Sequence, residues 1–374
     1  FKMNKKMNIG ISVPSNFIGG PQKLAALAAI DFVSLGHNVS IYIPIMPYTF
    51  QFLRIQKKPF EWVKLSIKFF IEWICNGHYS HYDLFTDSVN NHLLKIKPVL
   101  IRASSKLCSE IDYLIFFTEA QIFEYKNIMP AERQIFMLCH PSEYAYGYAE
   151  LFSGLRRRFK GKTIAISEFS AENISNCQKE IPIVECRVSP NIWHKRQSIN
   201  FNLFRKDILL FLKGRTSDRD GIKLLKRIIK AYPQLSFTVW CRGIQSAKLV
   251  MQELPHAQIV QNISEEELHK LYVGHKLFIF PSDFEGFGMP PVEALACGTV
   301  PILRHDVGAA TMYARNDSNA IFWHKDNDLL STRIISILQD SKRLKNMQLE
   351  TQNSLERFNP RGYGRRIMKA AGLW

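Results

Sequence analysis

Seven residues separate Glu285 from Glu293, and the residue types around them set what these carboxylates can do. Leu277–Phe280 is an unbroken apolar run of the kind that forms a strand buried on both faces. Pro281 ends it, and an acidic, glycine-containing loop follows. Pro290 and Pro291 stand where a helix begins, because proline is tolerated in the first helical turn; Cys297-Gly298 stops that helix. Glu285 therefore belongs to a loop after a strand, and Glu293 to the first turns of a helix. Between them, Phe287, Gly288 and Met289 can turn backbone N–H groups towards an anion at the helix N-terminus. Carboxylates flanking such an anion site suit a ligand with phosphate in its middle and hydroxyls at both ends. A nucleotide sugar has that shape.

The elements that must position this stretch recur along the chain. Met7–Pro14 reads as a buried strand, Lys23–Leu35 as a helix closed by Gly36, and Val39–Pro44 as a second strand. A strand–loop–helix–strand unit of this kind builds parallel, doubly wound sheets. Tyr113–Phe117, Gln134–Leu138 and Thr163–Ile166 continue the same pattern, and Ser167-Glu168 opens a further helix. A second series begins at Ile208–Leu212 and continues through Leu235–Trp240, Gln258–Val260 and Val300–Leu303. Ser264 and Glu267 form a capping box for a helix over Glu265–Tyr272. Phe358–Trp374 reads as a basic terminal helix.

PSDFEGFGMPPVEALACGTVP, residues 281–301, resembles the donor-site signature of retaining glycosyltransferases of the GT-B fold, family 4 type. The resemblance covers nearly the whole chain, strongly over residues 208–310 and more loosely over residues 7–193. It implies two Rossmann-like doubly wound α/β domains facing a central cleft, over residues 1–193 and 203–355, with residues 356–374 crossing back to the first. It implies that Glu285 contacts the transferred sugar and that Glu293 holds the ribose hydroxyls. The Gly19-Gly20 loop would face the cleft, His140 would lie near the transferred sugar, and Arg215 of Gly214-Arg215 would grip the donor diphosphate. A lysine expected five residues after Arg215 is replaced by Asp220, and Arg219 beside it is the candidate to stand in. The base would pack on backbone near Gln261–Ile263. Neither a cofactor nor a metal is expected.

Composition fits this outline. A chain of 374 residues is comfortable for two domains, and 46% hydrophobic with 22% charged residues is a globular balance. No window approaches ~18 uncharged apolar residues, the length of a membrane span. The opening stretch, basic and then apolar, is interrupted by Pro14 and Gly19-Gly20 and reads as a first strand rather than a signal peptide. Seven scattered cysteines without a Cys-x-x-Cys pair argue against a disulfide framework or a zinc site, and for a reducing cytosol. The net charge of +16 favours anionic partners.

Several segments keep two readings. Phe60–Cys75 is either an interfacial helix docking on anionic membrane or a helix buried in the first domain. The run Arg156–Lys162 is a solvated face or a contact for lipid or phosphate. Tyr144, Tyr146 and Tyr148 line an acceptor cleft or pack a loop. Arg242 reaches a phosphate or makes a surface ion pair. Asp218–Asp220 and Asp326–Asp328 are formally DxD, a pattern too short to imply a metal.

The expected activity is retaining transfer of a sugar from a nucleotide-diphosphate donor to a glycan or lipid-linked acceptor. Surface polysaccharide synthesis at the inner face of the plasma membrane is the usual setting. The alternatives are an inverting transferase, a nucleotide-sugar epimerase, or a non-catalytic basic module for membrane or nucleic acid; no nucleic-acid-binding signature is present.

Overall fold

The computed structural model describes residues 6–14, 20–44, 94–99, 109–139, 149–172, 180–196, 205–324, 329–353 and 355–374. They divide into two units, Phe1–Arg187 together with Arg361–Trp374, and Val188–Pro360. Gly19, His140, Phe60–Cys75, Tyr144, Tyr146, Tyr148 and Asp326–Asp328 lie outside the described residues.

In the first unit, β1 (Asn8–Ser12) leads to α1 (Gly20–Ser34), β2 (Asn38–Pro44) and β3 (Leu94–Val99), and the chain then crosses to β4 (Tyr113–Phe116). α2 (Glu119–Tyr125), β5 (Gln134–Leu138), α3 (Ala149–Arg158), β6 (Lys162–Ala165) and α4 (Glu168–Glu172) follow. The sheet order is β3-β2-β1-β4-β5-β6, and every pairing is parallel. β5 is buried at all five positions, because helices on both faces of a parallel sheet leave no residue for solvent. Arg156 of the basic run is turned inward, where it pairs with Glu119 at 2.6 Å, the side chains being 5% and 1% exposed. Arg157 and Arg158 are exposed, so the run is split between an internal ion pair and the surface.

The second unit opens with α5 (Pro190–Lys195), then β7 (Lys206–Leu212), α6 (Asp218–Ala231), β8 (Phe237–Cys241), α7 (Ile244–Glu253) and β9 (Ile259–Val260). α8 (Glu265–Val273), β10 (His275–Phe280), α9 (Met289–Ala296), β11 (Val300–Arg304), α10 (Ala310–Tyr313) and β12 (Ile321–Trp323) continue it. α11 (Leu330–Gln339) and α12 (Ser341–Asn353) complete it. Its order is β12-β11-β10-β7-β8-β9, again parallel throughout. Alternation along β7 and β10 gives the two sheet faces different chemistry. Ile208, Leu210, Leu212, Leu277 and Ile279 join an aliphatic core with Leu225 and Ile228 of α6 and Ile334 and Ile337 of α11. The opposite face carries a ladder in which Phe211 stacks on Trp240 at 4.0 Å and on Phe280 at 6.0 Å.

The division differs from the boundaries at residues 193 and 356. α5 packs on α8 and α9, and the Ser189 hydroxyl donates to Glu265 at 2.8 Å, so Val188–Lys195 goes with the second unit. The terminal helix does not start at Phe358. Pro360 and Gly362, the latter at φ +72°, break the chain there, and the helix is α13 (Tyr363–Ala370). Phe358 packs on Phe287 and Tyr313 within the second unit. α13 packs on α1 in the first unit, where Asp31 accepts from the amides of Gly362 at 3.1 Å and Arg365 at 2.9 Å and caps the helix.

Candidate functional site

In the second sheet the chain winds outward from β7 through β8 to β9, then returns to place β10 on the other side of β7. The carboxyl ends of β7 and β10 thus form the point where the winding reverses, and open parallel sheets bind ligands in the crevice there. Lys213 follows β7 directly, Arg242 follows β8, and Ser282 to Glu285 follow β10.

The loop after β7 is built on Asp218, the first residue of α6, which is 2% exposed. Its carboxylate accepts from the amides of Lys213 at 3.1 Å, Gly214 at 2.7 Å and Arg215 at 3.3 Å, and from the Ser246 hydroxyl at 3.3 Å. Asp218 therefore fixes the backbone that carries Lys213 and Arg215. Gly221, one turn on, lets α6 approach β10 closely: a Cβ there would lie 2.8 Å from Cγ of Pro281.

Glu285 sits in the facing loop with its side chain 15% exposed. Its Oε1 accepts from the Lys213 ammonium and from the Ser282 hydroxyl, the latter at 2.7 Å. Arg215 donates to the Phe284 carbonyl at 2.9 Å, tying the Gly-Arg loop to the residue before Glu285. Burial raises the Glu285 carboxyl pKa, but the charge and hydrogen bond of Lys213, the Ser282 hydrogen bond and Arg215 outweigh it and hold it below the usual carboxylate value. Lys213 is pushed below the usual lysine value, first by burial, then by Arg215 and Arg242, with Glu285 opposing. Arg242 keeps access to solvent, yet the protein around it and then Arg215 lower its pKa, again against Glu285. Lys213, Arg215 and Arg242 are thus cations crowded on one carboxylate, an arrangement that attracts a further anion.

The remaining expected residues take distinct places. The Phe287 ring is buried against Tyr313 at 5.6 Å and Phe358 at 5.7 Å, so it anchors the loop through its side chain. Gly288 stands at φ +90° as the N-cap of α9, a left-handed turn open to glycine, and Met289 is the first helical residue. Glu293 is 1% exposed and accepts from the Tyr272 hydroxyl at 3.4 Å. Gly20 is the first residue of α1. Arg219 is exposed in the first turn of α6, where its charge acts on Glu253 of α7. Among the described residues, the cations acting on Glu285 are Lys213, Arg215 and Arg242.

Lys213, Asp218 and Ser282 are site residues that sequence reasoning passed over. The available signal was a lysine set directly against the last apolar residue of a buried strand. Gly308, at φ +53°, is another: a Cβ there would overlap the Glu285 carbonyl oxygen, so the loop after β11 braces the Glu285 backbone.

Residues 195–354 match the model of the glycosyl transferases group 1. The putative glycosyltransferase 41 of a Sulfolobus islandicus filamentous virus is 32% identical over 101 residues, 26% of this chain and 28% of that protein. The O-antigen chain mannosyltransferase B of Escherichia coli is 35% identical over 78 residues, 21% of this chain and 20% of that protein. The matched segments thus span between a fifth and little more than a quarter of these curated relatives. Solved structures resemble the whole chain. HepE of Anabaena, in complex with UDP and glucose, aligns with a TM-score of 0.71 at 13% identity, over 98% of this chain and 100% of that one. Sucrose-phosphate synthase from Thermosynechococcus elongatus aligns with a TM-score of 0.65 at 13% identity, over 98% of both chains. Two parallel-sheet α/β units give the chain the GT-B fold, and residues 195–354, most of its second unit, match the glycosyl transferases group 1 model.

Proposed function

We propose that the chain is a retaining glycosyltransferase that moves a sugar from a nucleotide-diphosphate donor to a hydroxyl of a glycan or lipid-linked acceptor. The observation that carries this reading is the gathering of Lys213, Arg215 and Arg242 around Glu285 at the reversal point of the second sheet. It suits a diphosphate joined to a sugar, and the group 1 match and the UDP complexes of HepE support it.

In the reaction the bond between the anomeric carbon and the diphosphate oxygen breaks, and its electron pair leaves with the diphosphate. Positive charge builds on the sugar ring while negative charge builds on the leaving group. Arg215 and Arg242 meet that negative charge in place, which lowers the barrier most when the groups are held beforehand. Glu285, fixed by Ser282 and Lys213, orients the sugar hydroxyls. The acceptor oxygen bonds to the anomeric carbon on the face the diphosphate vacates, and its proton passes to a departing phosphate oxygen. Glu293 serves the ribose end, exchanging its long hydrogen bond from Tyr272 for ribose hydroxyls. With Arg215 and Arg242 assigned to the leaving group, the reading needs no metal or cofactor.

The setting proposed is surface polysaccharide or lipid-linked glycan assembly at the inner face of the plasma membrane, with peripheral contact to anionic lipid and no nucleic-acid partner. A thermal-shift screen against UDP-, GDP-, ADP-, CDP- and dTDP-sugars identifies the donor, because a ligand bound to the native state raises the melting temperature. NMR of the product made from that donor, in buffer containing EDTA, is expected to show the donor's anomeric configuration kept. An inverted product or an absolute need for added metal would overturn it.

A further inference from the structure

We propose that Lys213 is the residue that joins the two ends of the donor site, binding the diphosphate with its ammonium while it fixes Glu285 for the sugar. The proposal rests on the reading of the ligand as a nucleoside diphosphate sugar and assigns a further residue to it.

An ammonium carries three N–H donors. Among the described residues, Glu285 is the hydrogen-bond acceptor of the Lys213 ammonium, which also lies over the Phe280 ring at 4.9 Å. Donors therefore remain for a ligand without breaking the ion pair. The position is also rigid for a lysine. The Lys213 amide is held by Asp218, the residue before it ends a strand buried from Asp207 onward, and the side chain is 15% exposed. The charges that face it are Glu285 from the loop after β10, Arg215 from its own loop and Arg242 from the end of β8. The Asp218 carboxylate beneath is engaged by the loop amides and the Ser246 hydroxyl. An incoming diphosphate thus meets three cations clustered with one carboxylate. Lys213 also hydrogen-bonds that carboxylate directly.

The same geometry answers the sequence's departure at Asp220. The cation that the loop lacks at position 220 is present at position 213, on the strand side of Gly214 instead of the helix side. Arg219 acts on Glu253, on the face of α6 towards α7, and is displaced from this cluster.

The test compares UDP, UMP and uridine, or the corresponding series for whichever base the donor screen selects, by calorimetry on wild type, Lys213→Met, Lys213→Arg and Arg219→Ala. A residue that only props up the loop would weaken all three ligands alike. Lys213→Met is expected to weaken the diphosphate by about 10- to 100-fold, as for loss of a hydrogen bond to a charged group, and to leave the nucleoside unchanged. Lys213→Arg is expected to restore part of the loss. If Lys213→Met does not fold, Lys213→Met combined with Glu285→Gln removes both charges and carries the same comparison. An unchanged ratio of UDP to uridine affinity overturns the assignment, and so does a loss in Arg219→Ala as large as that in Lys213→Met. Absence of nucleoside diphosphate binding to wild type would instead sink the donor reading itself.

Discussion

Glu285 and Glu293 look alike in the sequence and behave differently in the fold. Glu285 is held at the mouth of a crevice by a lysine and a serine, whereas Glu293 is buried under Tyr272. Replacing Glu285 by Gln keeps the volume and a hydrogen-bonding group but removes the charge. It is expected to lower kcat by about 100-fold while UDP binding stays measurable, since the interaction lost acts on charge developing in the transition state. Steady-state kinetics with parallel calorimetry checks this, and full turnover would remove Glu285 from the sugar site. His275, at the start of the strand leading to Glu285, makes a separate prediction. It is 3% exposed, its Nδ1 lies 2.7 Å from the Leu271 carbonyl, and burial first, with Lys206 and Arg205 adding, lowers its pKa from 6.5 to about 4. The unfolded chain takes up the proton first as pH falls, so the stability due to His275 is complete above its unfolded pKa and drains away towards the folded value. Urea midpoints at about pH 7.5 and about pH 5 should differ by about 2 kcal/mol on this account, and His275→Gln should remove that part of the difference.

At the scale of elements, the buried strands were readable because parallel strands covered on both faces are written as apolar runs, as in Leu277–Phe280 and Ile208–Leu212. The helix caps were readable where a side chain caps its own turn, as Ser264 and Glu267 do. Lys213 was not, because a lysine after a strand looks like any surface lysine until the pairing of β7 with β10 brings Glu285 to it. Asp218 was hidden for a related reason. Its carboxylate serves amides three to five residues back, a loop geometry that composition does not record. The loop after β11 was legible as a loop, but its contact with the Glu285 carbonyl depends on Gly308 lacking a Cβ. Gly308→Ala should therefore displace Glu285 and lower kcat/KM by about 10- to 100-fold, since small misplacement of a positioned group is costly. Wild-type kinetics in that variant would show that the brace is unimportant. Thermal melting separates this effect from loss of fold.

Across the whole molecule, the two series of strands in the sequence correspond to two sheets with the same winding, each reversing beside its first strand. What the pattern of residues did not convey was where the boundaries fall. Pro360 and Gly362 interrupt the last segment, so Phe358 belongs to one unit and Tyr363 to the other. Gly364 is the contact point of α13 on α1. A Cβ there would lie 2.8 Å from the Phe32 ring and 3.1 Å from the Ala28 carbonyl. Gly364→Val is accordingly expected to destabilise the first unit by about 1–3 kcal/mol through overpacking, measured by urea denaturation, with nucleotide binding to the second unit little changed. An unaltered midpoint would mean that α13 contributes little to the first unit's stability.

The return of α13 to the first unit also sets an order of events during synthesis. Residues 188–360 are contiguous and can fold as soon as they leave the ribosome, while the first unit needs residues 361–374, which are made only after the whole second unit. The first unit is thus completed only after the second has been made, with the apolar surface of α1 awaiting its partner until then. Pulsed hydrogen exchange on ribosome-bound chains stalled before residue 361 should show β7 and β10 protected while β1 and β4 still exchange.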